Sequence, residues 1–598
     1  MPVNRWSKAQ LSGKTVRWLL DLTFAGRVVR LSQADLTVAS DGGDLAYVGC
    51  LEAFNVGLAL DLFTDAASLL SIKVAGVLPI NVPRLVAQGH DLGSATGVLS
   101  QWIEGTAYED RRIVLRGRVR DPEYGAEDEP VNFALEDNFY DDQGVIPDPS
   151  AAVTMDTWGG DDPITSSPYY FTLGDAEKGL AYPVVFGNPG RVSAALNSAQ
   201  WITGSQGVWF WHDAIDPGAP HNLEGLGLIV AGHRVTAGFV YMNTPDYTAG
   251  YRFLVKHQAD GLGREVAYID YRVTDPPTPD SYSSVDAVGT YYGLGHNSLD
   301  ASFQPNNGEE KPVYVGWFDP INATGGGMQG PDGATVRGAG DVLEAVLAFS
   351  TSAIDRPRIA AVKALLNRFK IDAVIEAGVK PWDWIRSNLL PILPVSVLKG
   401  PDGVYFVVWR HDARELDAVA HIDAGASPEI EVSESIKYDT SKIVNSFSFK
   451  YGLSIRTGNF VGLATLGAKY DSATPGAGVS FHCEQSQRRY RVPGEAPASG
   501  VYLEESESIV VYDDATANAV LAWRALAFAF AKRTLELLVP EEDWAWLERG
   551  NVVLVSVPWL YLDRQVALVQ EIESGDDGMI GLRLLFVEDP ARDARIPP

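Results

Sequence analysis

Apolar and polar positions alternate with a period of two through much of the first 190 residues, the spacing of half-buried strands. Short β-rich runs (VRWLLDLTF, GRVVRLSQADLTVAS, DLAYVGCLEAFNVGLAL) fill residues 16–70, and Asp41-Gly42-Gly43 supplies a hairpin turn. Residues 94–103 (SATGVLSQWI) read as helical in whole or in part. A long hairpin follows, with Ile113, Leu115 and Val119 alternating on the way out and Val131, Phe133 and Leu135 on the return. Such hairpins belong to an antiparallel, closed-sheet or barrel architecture rather than a βαβ sheet. Residues 147–190 are punctuated by Pro and Gly and end in AYPVVFGNPG. Residues 191–270 return to β-rich runs, followed by a Pro-rich surface loop, a last β piece (KPVYVGWFD) and a glycine run ending at Gly327.

The period changes between residues 340 and 410. Val342, Leu343, Val346 and Leu347 share one helical face, and Asp355-Arg356-Pro357 closes that helix and opens the next. The second helix carries Ile359, Val362, Leu365 and Leu366, and Pro381 starts a third with Trp382, Ile385 and Leu389 at helical spacing. Trp382 and Trp384 are two positions apart and point to different sides of a helix, so only one of them need be core. Pro391 and Pro394 stop the helix, because an interior Pro removes a hydrogen bond and clashes with the preceding turn. Two β-rich runs, 395–398 and 404–409, then meet at Gly400-Pro401-Asp402-Gly403.

Beyond this stretch the pattern returns to strands, including Ile443-Val-Asn-Ser-Phe-Ser-Phe449 with Tyr451-Gly452. Residues 456–497 read as loop with short strands. Asp513-Asp514 caps a helix whose apolar side carries Val520, Trp523, Leu526, Ala527 and Phe530. Four strands follow, with the last hairpin turning at Gly575-Asp-Asp-Gly578. The closing Leu585-Phe-Val-Glu-Asp589 echoes Ala134-Leu-Glu-Asp137, which fits similar modules at the two ends of the chain.

Composition narrows the function classes. A chain of 598 residues exceeds one core and suggests three to five domains, and 46% apolar with 21% charged residues is a globular balance. No apolar run approaches the roughly 20 residues of a membrane span, and residues 1–20 carry no apolar signal core. Synthesis and assembly in a cytoplasm, without stable membrane insertion, are the expectation. A formal charge of −29 argues against a surface built to grip nucleic acid. Cys50 and Cys483 are too few for a disulfide framework or a zinc or iron–sulfur site.

Candidate chemistry is sparse. The acidic run Asp121, Glu123, Glu127, Asp128 and Glu129, assigned to the loop of the long hairpin, lacks the offsets and turn glycine of a cation loop, as does the 137–142 run. His212, His221 and His233 accompany no HExxH pattern, and no Gly-x-Ser-x-Gly elbow occurs. His482 and Cys483, read as strand neighbours, point to opposite faces and make no dyad. Paired carboxylates set only by spatial separation stay open, as does a sugar platform at Trp201, Trp209 and Trp211. No metal, cofactor or catalytic residue is assigned.

Three segments, Pro183-Val184-Val185-Phe186-Gly187, the helix–hairpin of 340–410 and the Val444-Asn445-Ser446 strand with Tyr451-Gly452, resemble, in the same order, segments of phage baseplate and tail-tip hub proteins and the related spike hubs of type VI secretion. The resemblance implies a mainly β fold with α+β portions. Two antiparallel β-barrel hub domains, 1–190 and 426–598, would flank an inserted β-rich domain, 191–330, and a helix–hairpin domain, 331–425. It further implies a non-enzymatic structural virion protein: a homotrimeric hub at the tail tip of a long, non-contractile-tailed bacteriophage, assembled in the host cytoplasm. Such a hub joins the tail tube and distal tail protein, the tape measure protein and a central fibre or receptor-binding protein, serves host attachment, and passes DNA only in transit during ejection. Trp382, Trp384 and Ile385 are then structural or interface candidates, and Glu127, Asp128 and Glu129 candidate acidic residues of the lumen. The alternatives are a β-rich polysaccharide-degrading enzyme and a carbohydrate-binding surface protein.

Overall fold

The computed structural model describes residues 6–11, 14–51, 72–76, 78–125, 131–136, 144–149, 169–173, 181–189, 208–214, 225–236, 239–243, 251–259, 263–270, 314–318, 327–375, 378–400, 403–433, 435–454, 459–468, 478–574 and 578–588. The architecture is mainly β, in several sheets, with helices gathered in the central third and before the last strands.

The first sheet runs in the order Leu36–Val38, Leu45–Gly49, Arg27–Ser32, Val16–Phe24, Thr96–Ile103, Arg112–Tyr124, Val131–Glu136, Ile72–Gly76. Its neighbours are antiparallel except Arg27–Ser32 beside Leu45–Gly49, which is parallel. Residues 96–103, expected to be at least partly helical, form a strand. Apolar Val98, Leu99, Trp102 and Ile103 suit a pleated surface, and their backbone pairs with Val16–Phe24 on one side and Arg112–Tyr124 on the other. Asp121 and Glu123, expected in the connecting loop, lie within Arg112–Tyr124, where a bulge between Arg120 and Glu123 bends the strand and Asp121 takes a φ of 46°. The alternation holds on the return, with Val131, Phe133 and Leu135 buried.

The C-terminal sheet repeats much of this arrangement. In the first sheet, Ile72–Gly76 leads into the short helix Val82–Ala87 and then the meander Thr96–Ile103, Arg112–Tyr124, Val131–Glu136, whose last strand pairs back with Ile72–Gly76. In the second, Lys532–Pro540 leads into the short helix Glu541–Trp544 and the meander Val552–Val557, Leu562–Ser574, Met579–Phe586, whose last strand pairs back with Lys532–Pro540. The middle strand of each meander has 13 residues and carries a bulge against its successor. The flanking strands differ: Val16–Phe24 joins the first meander antiparallel, and Ala420–Asp423 joins the second parallel.

Between the two lie a seven-stranded antiparallel sheet, from Tyr314–Phe318 at one edge to Tyr169–Leu173 at the other, and a helical core. Helices Ala339–Leu347, Arg356–Leu366 and Pro381–Asn388 pack with the hairpin Val395–Gly400/Gly403–Val408 around Leu343, Ile359 and Ile385. Asp355 caps the second helix by accepting from Arg358 N–H at 3.2 Å, and Pro357 sits in its first turn. Strand Ser446–Ser454, expected to open a second barrel, instead forms a three-stranded sheet with Asn459–Leu466 and Leu503–Glu507 and packs onto this central core. The difference lies in the helix Asp514–Phe528, whose Val520, Leu521 and Trp523 draw that small sheet inward. Residues 479–489, expected as loop and short strand, are an α-helix.

Candidate functional site

Three junctions organise the molecule. The first is central. Strand Val184–Phe186 pairs with Ala373–Ile375, and the chain then turns at Gly187, whose φ is 64°. A Cβ there would stand 2.2 Å from Asp372 Oδ1, so only glycine fits. The turn delivers the Asn188 N–H to Asp372 Oδ1 at 2.7 Å. Arg337 forks onto the same carboxylate, Nε to Oδ1 at 2.6 Å and Nη2 to Oδ2 at 2.8 Å. Trp382, Trp384 and Ile385 belong to this junction. All three are buried, and the Trp384 ring lies 6.3 Å from that of Phe186. The periodicity required only one Trp inside. The structure buries both, because their helix is enclosed by packing on either side while Asp383 and Arg386 take its exposed edge.

A buried polar network underlies the Val444-Asn445-Ser446 segment. Asn445 Nδ2 donates to Ser486 Oγ at 3.0 Å and Gly500 O at 2.9 Å, and Asn445 Oδ1 accepts from Tyr502 N–H at 2.9 Å. Gln487 completes it by donating to the carbonyls of Asn445 and Gly467. An aspartate or a leucine at 445 would leave at least one of these buried partners unpaired.

The second junction joins the two repeated units. Trp6, Leu11, Val16 and Ile103 enter the same core as Leu535, Val553, Leu582 and Phe586 of the C-terminal sheet. Arg112 Nη1 donates to Ala545 O at 2.6 Å, and Gln101 Nε2 to Glu541 Oε1 at 3.1 Å. Burial pushes the Glu541 carboxyl up to about 7, against the opposing pull of Gln101, Trp18, Arg112 and Arg17. A raised carboxyl stabilises the fold while protonated, fully below its unfolded value near 4.5, and that contribution is lost as pH rises through 7. Glu541→Gln is therefore expected to stabilise the protein by about 3 kcal/mol above pH 7 and to change nothing below pH 4. Melting temperatures of the two proteins across pH 4–8 test this, and a constant difference would refute it. Comparing variant with parent cancels the opposite trend from His411 and His233. Burial pushes these two down to about 3 and about 4, so their contributions are lost as pH falls.

The third junction sets the helix–hairpin against the C-terminal sheet around a cavity of about 70 Å³. The turn Glu548-Arg549-Gly550-Asn551 forms one wall. Gly550 has a φ of 80°, Gly550 N–H donates to Val569 O at 2.8 Å, and Asn551 Oδ1 accepts from Glu548 N–H at 2.9 Å. Arg358 lies over the Tyr405 ring at 4.3 Å and is paired with Glu548 at 2.9 Å and Asp355 at 3.4 Å. Arg410 is held by Asp412 and Asp417.

The acids of this cavity, Asp417 and Glu548, are each engaged by a guanidinium. His482 and Cys483 lie on the helix Val479–Arg489 rather than on a strand, and burial, with Glu484 beside it, pushes the Cys483 thiol up to about 12, so it carries no thiolate. No group of three metal-ligating side chains occurs among the described residues, and no helix among them is long and apolar enough to cross a membrane. His233 Nε2 accepts from Val185 N–H at 3.0 Å, a structural use. Trp209 and Trp211 lie on the strand Val208–Ala214, opposite Leu228 and Leu226. Trp201, His221, residues 137–142 and the acidic candidates Glu127, Asp128 and Glu129 fall outside the described residues.

No family model matches the chain, and no curated protein matches it. Among solved structures it is similar to the tail protein from Neisseria meningitidis MC58, at 10% identity over 96% of this chain and 97% of that one, with a TM-score of 0.34. It is similar to the 43 kDa tail protein of prophage MuSo2 from Shewanella oneidensis, at 9% identity over 96% and 98%, with a TM-score of 0.29. A third is prophage tail protein gp18 from Listeria monocytogenes EGD-e, at 11% identity over 66% and 89%, with a TM-score of 0.19.

Proposed function

We propose that this chain is a structural tail protein of a phage virion, and within the tail the hub of its tip or baseplate. The observation that carries the reading is the repeated unit, strand, short helix and bulged meander, built once from residues 72–136 and again from 532–586. Two similar units joined through one core give each chain two quasi-equivalent faces, and three such chains in a ring present six. That is the symmetry needed to meet a hexameric tube. Closure of each unit into a barrel is part of the proposal. The segments resembling hub proteins support it: Val184–Phe186, the helix–hairpin and the Asn445 strand each sit at a buried junction.

The assembled ring would join the tail tube and distal tail protein to a central fibre and hold the channel shut until DNA leaves. Its carboxylate excess, with Glu127, Asp128 and Glu129 among the candidates, would keep a lumen from gripping phosphates. Light scattering with size-exclusion chromatography tests the reading first. Three times the 64.8 kDa chain mass is expected, alone or with tail-tube protein, and electron micrographs should show a ring. A monomer at every concentration, unaltered by tail-tube protein, would rule out the hub.

A further inference from the structure

We infer that the tip joining Val552–Val557 to Leu562–Ser574 is a docking surface for a second copy of this chain, received by that copy's helix Val82–Ala87. The inference rests on the tail-hub reading and names the contact that would close its ring. Within one chain, the first unit meets the second through the end of Thr96–Ile103 and the start of Arg112–Tyr124. Ile103 enters the C-terminal core, Gln101 reaches Glu541, and Arg112 reaches Ala545. The same position in the second unit is the end of Val552–Val557 and the start of Leu562–Ser574. There Trp559 is 56% and Tyr561 96% exposed.

The backbone argues that these rings are displayed for use. Tyr561 holds a φ of 55°, a left-handed conformation that is costly for a tyrosine and free for a glycine. Residues kept under such strain cluster where a surface binds, and aromatic rings are the usual anchors of a protein interface. The receiving surface follows from the same repeat. In the chain's own junction it is the helix Glu541–Trp544, whose first turn carries Glu541, Glu542 and Asp543. Its counterpart in the first unit, Val82–Ala87, has no acidic residue and exposes Arg84 and Ala87. A guanidinium is a good partner for an aromatic face and a poor one for a second arginine. The two helices therefore sort the two ends: the acidic helix takes the Arg112 end of its own chain, and the basic helix takes the aromatic tip of a neighbour. A head-to-tail contact of this kind repeats from copy to copy until the ring closes.

The test compares the full chain with its variants by light scattering and analytical ultracentrifugation, alone and with tail-tube protein. Trp559→Ser and Tyr561→Gly are each expected to raise the concentration at which the trimer dissociates by roughly tenfold or more. Tyr561→Gly relieves the backbone, so it should melt no lower than the parent where both are monomeric. Tyr561→Cys combined with Arg84→Cys, treated with a short bismaleimide, should give linked dimers and trimers, and either substitution alone should give neither. A trimeric parent whose variants dissociate at the parent's concentration, with the cysteine pair unlinked, would overturn the inference and leave the hub standing. A parent that is monomeric throughout removes both. Lower melting with an unchanged trimer would show the tip to be covered within its own chain, and that also overturns the inference.

Discussion

Replacing Asp372 with alanine is expected to destabilise the protein by about 3–5 kcal/mol, the cost of stranding one member of a buried ion pair. Asp372 is completely buried, and its two oxygens take three donors from two parts of the chain: the Arg337 fork and the Asn188 N–H. Its own N–H reaches Val510 O at 2.9 Å, so the residue ties the strand at 184–186, the central helices and the segment before helix Asp514–Phe528. Burial opposes the Arg337 charge, and Asp372, with Asp513 beyond it, more than restores it. Removing the carboxylate therefore leaves a half-buried cation and an orphaned backbone donor together. Asp372→Asn keeps the shape and one acceptor, and should fall between parent and alanine variant. Urea midpoints of the three proteins check this, and an alanine variant within 1 kcal/mol of the parent would show that the junction is not stabilised as described.

The elements set by local chemistry were legible in advance. Asp355 before Pro357, Pro381 at a helix start, Asp513 as a cap and the 112–136 hairpin each carry a local signal of their own, and each stands where that signal places it. Residues 94–103 depart from the helix expected of them because a short apolar run fits helix and strand alike, and only the two neighbouring strands decide it. The helix at 479–489 is hidden in the sequence for the opposite reason. Its buried face is His482, Cys483, Glu484, Ser486 and Gln487, so the apolar signal that marks a helix is absent and its inward side is held by hydrogen bonds.

The junctions were less visible than the elements. Gly187, Arg337 and Asp372 are separated by 185 positions between the first and the last, and nothing local marks the three as partners. Arg358 and Glu548 pair although almost two hundred positions separate them. The repeated unit lay in between: a four-residue echo hinted at it, and the pairing of first strand with last makes it plain.

Trp384→Ala and Trp382→Ala should each cost about 3–5 kcal/mol, as truncation of a buried Trp leaves a cavity that the surroundings fill only in part. Both rings are less than a tenth exposed although they leave the helix Pro381–Asn388 on different sides. That helix is thus a wedge, and each Trp fills a separate gap. Trp384 also contacts Phe186 across to the strand that pairs with Ala373–Ile375, at a ring separation of 6.3 Å and 47° between planes. A double-mutant cycle of Phe186→Leu with Trp384→Ala should show a coupling of about 0.5–1.5 kcal/mol, the usual range for aromatic pairs. The cycle with Trp382→Ala should show less, because Trp382 leaves the helix on a different side from Trp384. Thermal melting of the single and double variants reads all of these. A neutral result at either tryptophan, or equal coupling of both to Phe186, would mean that the helix does not sit between the strand at 184–186 and the rest of the central core.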